Sequence, residues 1–310
     1  MTLPPDKTFQ ALRRRVLLAP FGLPLLGSLS GCLATLPAPR DSATAAAALL
    51  ADSARAHGLE ALGAVNDLNI SYAGAWHGLV ARLQPALVDA GHRGGSEERM
   101  VPHEGLLAQV HTGPRGRKQV LRRWVSGTEG EVRVRFDGVE SQDPEQRAAA
   151  ALVGDGYSLF LLGPMLLAQR WGAERTLTLS LGNPQSLRLD HATCHCDVLL
   201  AALRPGLGFS VEDRLMLFID RRDGLMRRVR FSLNGLESTQ GAVAEVDSFD
   251  HVRRQGISWP TRFHEHLRRP APLPVHDWHV TGLDVNRGLS PADLSGAEFT
   301  AAASVPAAPL

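Results

Sequence analysis

Val132, Val134 and Phe136 alternate with Arg133 and Arg135, a period of two that predicts a strand with one dry face and one wet face. Similar stretches predict strands at 105–111 and 117–125, and the period also moves towards two from Asn66 through Ile70, Tyr72 and Trp76 to Leu83. In the C-terminal half Leu215 to Asp220 reads as a strand, Arg221-Arg222-Asp223-Gly224 as a turn, and Leu225 to Leu233 as the returning strand. There Val229, Phe231 and Leu233 alternate with Arg228, Arg230 and Ser232, and Asn234-Gly235 follows as a hairpin signal. Further strands are expected at 238–249, 252–268 and 276–286. Pro260 marks an edge or a bulge in the second of these, and Pro270, Pro272 and Pro274 form a rigid connector before the third.

Two segments carry helical patterns. Asp41 or Ser42 can cap a helix through about Leu62, with Leu49, Leu50, Leu59 and Leu62 as its apolar stripe, interrupted by Gly58. The run from Glu145 to Trp171 is apolar on nearly every side, and Gly163-Pro164 divides it into two pieces with a kink. A helix of that composition is buried core or a lid over a lipid-sized cavity. Ala90 to Ser96 reads as a glycine-rich loop. These elements predict an α+β protein built on an antiparallel meander.

The N-terminus is of a different kind. Arg13, Arg14 and Arg15 precede an apolar stretch, Val16 to Leu29, broken by Pro20, Gly22, Pro24 and Gly27. A positive region followed by about 14 apolar residues describes a secretory signal, and is shorter than the roughly 20 residues that span a bilayer. Leu29-Ser30-Gly31-Cys32 closes this stretch and resembles the lipobox of bacterial lipoproteins. The resemblance implies removal of 1–31, diacylation of Cys32 and an Ala/Pro-rich tether over 32–43. It also implies an exported protein anchored at the periplasmic face of the outer membrane, since Leu33, not Asp, follows the cysteine. Residues 44–296 would form a single domain and 297–310 a disordered tail.

Charge narrows the partners. The 310-residue chain carries +1; without 1–31 it has 29 basic and 31 acidic residues, which is no electrostatic footprint for nucleic acid. Nearly all of the positive charge is arginine, lysine occurring only at 7 and 118.

Candidate chemistry is sparse. The sequence contains no nucleophile elbow, Walker loop, dinucleotide fingerprint or His-Glu-x-x-His motif. His191, Cys194, His195 and Cys196 form the one local group with soft metal ligands, and Cys194 and Cys196 otherwise read as buried thiols or a strained disulfide. His264 and His266 share a strand face between Arg262 and Arg268, which reads as a solvated basic surface. No cofactor is expected.

The order of elements, the hairpin around Asp220-Arg221-Arg222-Asp223-Gly224-Leu225 and the strand Gly256-Ile257-Ser258-Trp259-Pro260-Thr261-Arg262-Phe263 resemble proteins of the LolA/LolB type. The resemblance spans roughly residues 44–290. It implies a curved antiparallel sheet, an incomplete barrel, with an N-terminal helix and the kinked helical pair on its concave side. It also implies a non-catalytic protein that holds a lipid or lipidated ligand in an apolar groove. Leu159, Phe160, Leu162, Met165, Leu166, Trp171, Phe231, Trp259 and Trp278 are the candidate groove residues. A structural or interaction module with a filled core is the alternative, and a metal- or thiol-dependent enzyme around Cys194 and Cys196 the third reading. Protein partners cannot be named from the sequence.

Overall fold

The computed structural model describes residues 43–125, 128, 130–171, 176–190, 192–295 and 310, and places the chain's first and last strands side by side at the centre of one sheet. The expected signal segment, Cys32, the expected tether except Ala43, His191, the side chain of Trp171 and nearly all of the expected tail lie outside the described residues. One antiparallel meander comprises β1 (Leu68–Trp76), β2 (Gly95–Val101), β3 (Leu106–Gly113), β4 (Gly116–Arg123), β5 (Glu131–Phe136) and β6 (Val139–Glu140). A second is built from β7 (Leu177–Leu181), β8 (Gln185–Leu189), β9 (Ala192–Leu203), β10 (Asp213–Asp220), β11 (Met226–Ser232) and β12 (Val243–Phe249). Next come β13 (Val252–Arg254) and β14 (Ile257–Trp259), a separate two-stranded ribbon, then β15 (Arg262–Arg269) and β16 (Leu273–Val285).

β16 pairs with β1, with Leu68 opposite Val285, and so joins the two meanders into a 14-stranded antiparallel sheet. β7 and β8 share the same side of β9 end to end. The sheet is curved and does not close into a barrel.

Helices cover its concave face. α1 (Ala43–His57) is followed by α2 (Leu59–Leu62), and α3 (Gly78–Leu83) and α4 (Pro85–Val88) lie between β1 and β2. α5 (Pro144–Leu162) starts where Asp143 accepts a hydrogen bond from the Glu145 N–H at 2.9 Å, with Pro144 in the first turn. It ends at Gly163, whose φ of 53° suits glycine, and the chain turns by 106° into α6 (Pro164–Leu166) and a short π-helical turn, Leu167–Trp171. The main core lies between these helices and one sheet face. It includes Leu50 and Ala54 of α1, Leu159 and Phe160 of α5, and Ile70, Leu217, Val229, Val246 and Trp278 of the strands. No single described helix is long and apolar enough to cross a membrane.

The structure departs from the sequence pattern in several places. The period of two expected from Asn66 to Leu83 ends at Trp76, and Gly78–Leu83 is the helix α3. The last strand begins at Leu273, so Pro274 lies within it and not in a connector before it. The stretch 252–268 is not one strand: Gln255 and Gly256 have φ of 50° and 80° and fold β13 onto β14 before β15 begins. The segment expected to be a strand from 238 opens with a tight turn, Glu237–Thr239, so β12 starts only at Val243. The outer face around His264 and His266 is an acid–base lattice, not a basic surface. Glu245 lies near Arg228, Arg230 and Arg268, while Asp247 accepts from Arg228 and Asp250 from Arg262.

Candidate apolar cleft

At one end of the concave face the sheet and the kinked helices part to leave a cleft of about 370 Å³. Its walls come from both layers: Met100 at the end of β2, Trp124 just after β4, Leu162 at the end of α5 and Leu166 in α6. Pro102, His103, Glu104 and Gly105 form one lip, and Gln169, Arg170 and Pro205 the other. The volume falls at the lower end of the range for small-molecule sites.

Local structure explains why the cleft is there. Gly105 has φ of 58° and turns β2 into β3, and a Cβ on it would lie 2.9 Å from the Trp124 carbonyl oxygen. The Trp124 N–H donates to the Gly105 carbonyl at 2.9 Å, which keeps the ends of β3 and β4 in register beneath the opening. The Trp124 indole N–H donates to Asp155 Oδ1 at 2.5 Å, and the Arg170 guanidinium lies 4.8 Å above the indole ring. Asp155 is itself buried on α5 and also accepts from Arg122 and from the Gly208 N–H. One carboxylate thus fixes helix, sheet and cleft wall together.

The candidate groove residues fall into two groups. Leu162 and Leu166 line the cleft. Leu159, Phe160, Met165, Phe231, Trp259 and Trp278 are packed into the main core; Phe160, Phe231 and Trp278 meet in its aromatic centre, and Trp259 lies on the separate β13–β14 ribbon. Trp278 lies between Phe263 (ring centroids 4.9 Å apart) and His276 (4.6 Å), and Trp76 stacks on the far side of His276 at 4.1 Å. Met100, Trp124 and Arg170 are cleft residues outside the candidate groove set. Their common signal is position at element ends, where a meander and a broken helix must part.

Beside that aromatic stack the concave face is polar. Glu98 and Gln109 face each other across β2 and β3 with a 2.6 Å hydrogen bond, and His111 follows on the same face. Burial pushes the Glu98 carboxyl up to about 8, partly offset by the Gln109 hydrogen bond. It holds His111 well below its ordinary value, and His276 is brought down to about 2 by burial and by nearby Arg93. Burial also raises the partly buried Glu265 to about 8. At the end of α1 burial lowers His57 to about 3, and in the link between β12 and β13 it lowers His251, whose ring meets His57 edge-on, to about 4.

These shifts set a pH dependence with two opposing limbs. Each lowered histidine stays neutral in the fold while its unfolded counterpart takes up a proton below 6.5, so its stability is lost as pH falls from 6.5. Glu98 and Glu265 act oppositely: the fold holds protons that the unfolded chain releases above 4.5, so their stability is lost as pH rises through about 8. Urea midpoints are therefore expected to peak near pH 6.5 and fall at about pH 4.5 and 8.5. Glu98→Gln should flatten the alkaline limb; a midpoint that climbs steadily to pH 8.5 would contradict this assignment.

Cys194 and Cys196 are free thiols on one face of β9, and His195 is exposed, its Nδ1 paired with the Ser186 hydroxyl at 2.9 Å. Burial pushes Cys196 up to about 12, far from the thiolate that a metal or redox site needs. Among the described residues no group of three or more His, Cys, Asp or Glu is placed to hold a metal ion.

No family model and no curated protein matches the chain. Among solved structures, a DUF1329 family protein from Desulfovibrio piger superposes with a TM-score of 0.51 at 10% identity, covering 84% of this chain and all of that one. A domain assigned to outer-membrane lipoprotein sorting from Vibrio parahaemolyticus gives 0.36 at 9% identity, over 78% of this chain and 97% of that one. A LolA superfamily protein from Nitrosomonas europaea gives 0.34 at 10% identity, over 80% and 96%. The fold, an open curved antiparallel sheet with helices on one face, is shared with the D. piger protein.

Proposed function

We propose that this chain is a membrane-anchored envelope lipoprotein that binds a lipid or acyl-bearing ligand without catalysing a reaction. The observation that carries this reading is the 370 Å³ cleft, with Met100 and Trp124 on the sheet side and Leu162 and Leu166 on the helix side, where the broken helix leaves the open sheet. Burying an acyl chain there stabilises the complex by about 25 cal/mol per Å² of apolar surface removed from water. The lipobox-like Leu29-Ser30-Gly31-Cys32 supports anchoring through Cys32, and Leu33 in place of Asp after the cysteine supports the periplasmic face of the outer membrane. Two or three acyl chains on one cysteine give a stable anchor where a single chain does not.

Two experiments test the two halves. Cells fed radiolabelled palmitate should yield a labelled protein whose label disappears with Cys32→Ser; label that persists in the variant would refute the anchor. The Cys32→Ser protein should bind a fluorescent fatty acid and release co-purified lipid to mass spectrometry, and the absence of both would refute lipid binding. A second reading, a filled structural or interaction module, is favoured by the packing of Phe160, Phe231 and Trp278 against one another in the main core. Saturable lipid binding at the cleft separates the two.

A further inference from the structure

We propose that the concave face binds a small monovalent anion, of the halide or carboxylate kind, beside Arg93, at a site apart from the apolar cleft and independent of lipid binding. The site is a narrow cleft between residues 93–96 and the stack of Trp76, His276 and Trp278. Its free space, about 20 Å³, is enough to centre a water-sized group. Gly94 and Gly95, both exposed, line it and leave it open to ions from solvent.

Arg93 supplies the charge. Its Nη2 donates to the Leu87 carbonyl at 3.4 Å, its guanidinium lies 5.2 Å from the Trp76 ring, and the Tyr157 hydroxyl is a further polar neighbour. None of these partners is negative. Nε is buried without a hydrogen-bond partner, and among the described residues no carboxylate forms an ion pair with this arginine. A guanidinium keeps its charge at every accessible pH, and a buried charge without a counter-ion is costly. The adjoining cation is differently placed: Lys118 pairs with Asp89 at 2.8 Å, and Asp89 also takes His92 at 3.0 Å. The Arg93 charge acts on Glu265, opposite His276 on β15, but burial raises that carboxyl to about 8 and keeps it protonated at neutral pH.

The other walls present donors. His111, only 1% exposed, lines the cleft with Nδ1 unpartnered, and its neutral ring can carry a proton on that nitrogen. Ser96, its cross-strand neighbour, adds a hydroxyl. An anion can accept from each of these groups, whereas a cation would be repelled by Arg93.

Chloride binding to the purified full chain is read in solution by broadening of the chloride NMR line, with formate as competitor. Bromide-soaked crystals locate the site by anomalous signal. One bromide is expected within hydrogen-bond distance of Arg93 Nε, and formate should reverse the broadening. Arg93→Gln should weaken the formate-sensitive binding at least about tenfold, the worth of one charge-assisted hydrogen bond. Ser96→Ala, at a partly exposed position, should weaken it about threefold, which keeps the test open if the arginine variant fails to fold. Glu265→Gln should leave it within about threefold, because the parent carboxyl is already protonated. No bromide at Arg93, or binding unchanged in Arg93→Gln and Ser96→Ala, would overturn the proposal. Binding that appears only in Glu265→Gln would make Glu265 the counter-ion of Arg93 and overturn it as well.

Discussion

Asp155→Ala is expected to lower folding stability by about 3–5 kcal/mol, a large share of the roughly 5–15 kcal/mol that holds a domain together. The carboxylate is buried on α5 and accepts four hydrogen bonds. Arg122 Nε and Nη2 each donate at 3.0 Å, the Trp124 indole at 2.5 Å and the Gly208 N–H at 2.7 Å. Removing it leaves the fully buried Arg122 guanidinium without its counter-ion and two further donors without an acceptor. Urea denaturation measures the loss. Asp155→Asn, which keeps the shape and removes the charge, should also destabilise strongly, because Arg122 stays charged at any accessible pH. A loss below about 1 kcal/mol for Asp155→Ala would show that the pair does not tie helix to sheet.

Trp278→Ala is expected to cost a further about 3–5 kcal/mol by a different mechanism, the cavity left by a large core aromatic. Its ring contacts Phe263 and His276 in the stack and meets Tyr157 and Phe160 of α5 at 5.4 and 5.8 Å. This substitution also separates two views of the concavity. If the ligand sits in the centre of the sheet, losing Trp278 alters binding more than stability. The filled packing of that centre predicts the reverse: a large drop in the urea midpoint and amphiphile affinity within about threefold of the parent at the remote cleft.

Much of the fold was legible because its strands alternate cleanly. β5 and β11 bury every second residue, with Val132 and Val134, or Val229 and Phe231, inside. The break in the central helix followed from Gly163-Pro164, whereas the place of the kinked pair over the sheet came only from the resemblance to the LolA/LolB type. Other strands do not alternate in hydropathy. β2 buries Glu98 and Arg99 next to Met100, so charge masks its pleat. The second half of β9, Val198 to Ala201, is buried on both faces and reads as a featureless apolar run.

The candidate site was half legible for a related reason. Leu162 and Leu166 belong to a conspicuous apolar helix, whereas Met100, Trp124 and Arg170 come from the ends of separate elements. Only the register of β2, β3 and β4 beneath the α5 terminus brings them together. Conversely, the aromatic residues that suggested a groove, Trp259 and Trp278, are spent on packing the core. An apolar residue list records what avoids water, and does not say whether another side chain or a ligand fills the space.

The most direct test of ligand binding in the cleft is a crystal structure of the protein with 12-bromododecanoate, read by the anomalous signal of bromine. The account predicts one strong peak between Met100, Leu162 and Leu166. Bromine in the centre of the concavity among Phe160, Phe231 and Trp278, or no ordered bromine at saturating ligand, would contradict it.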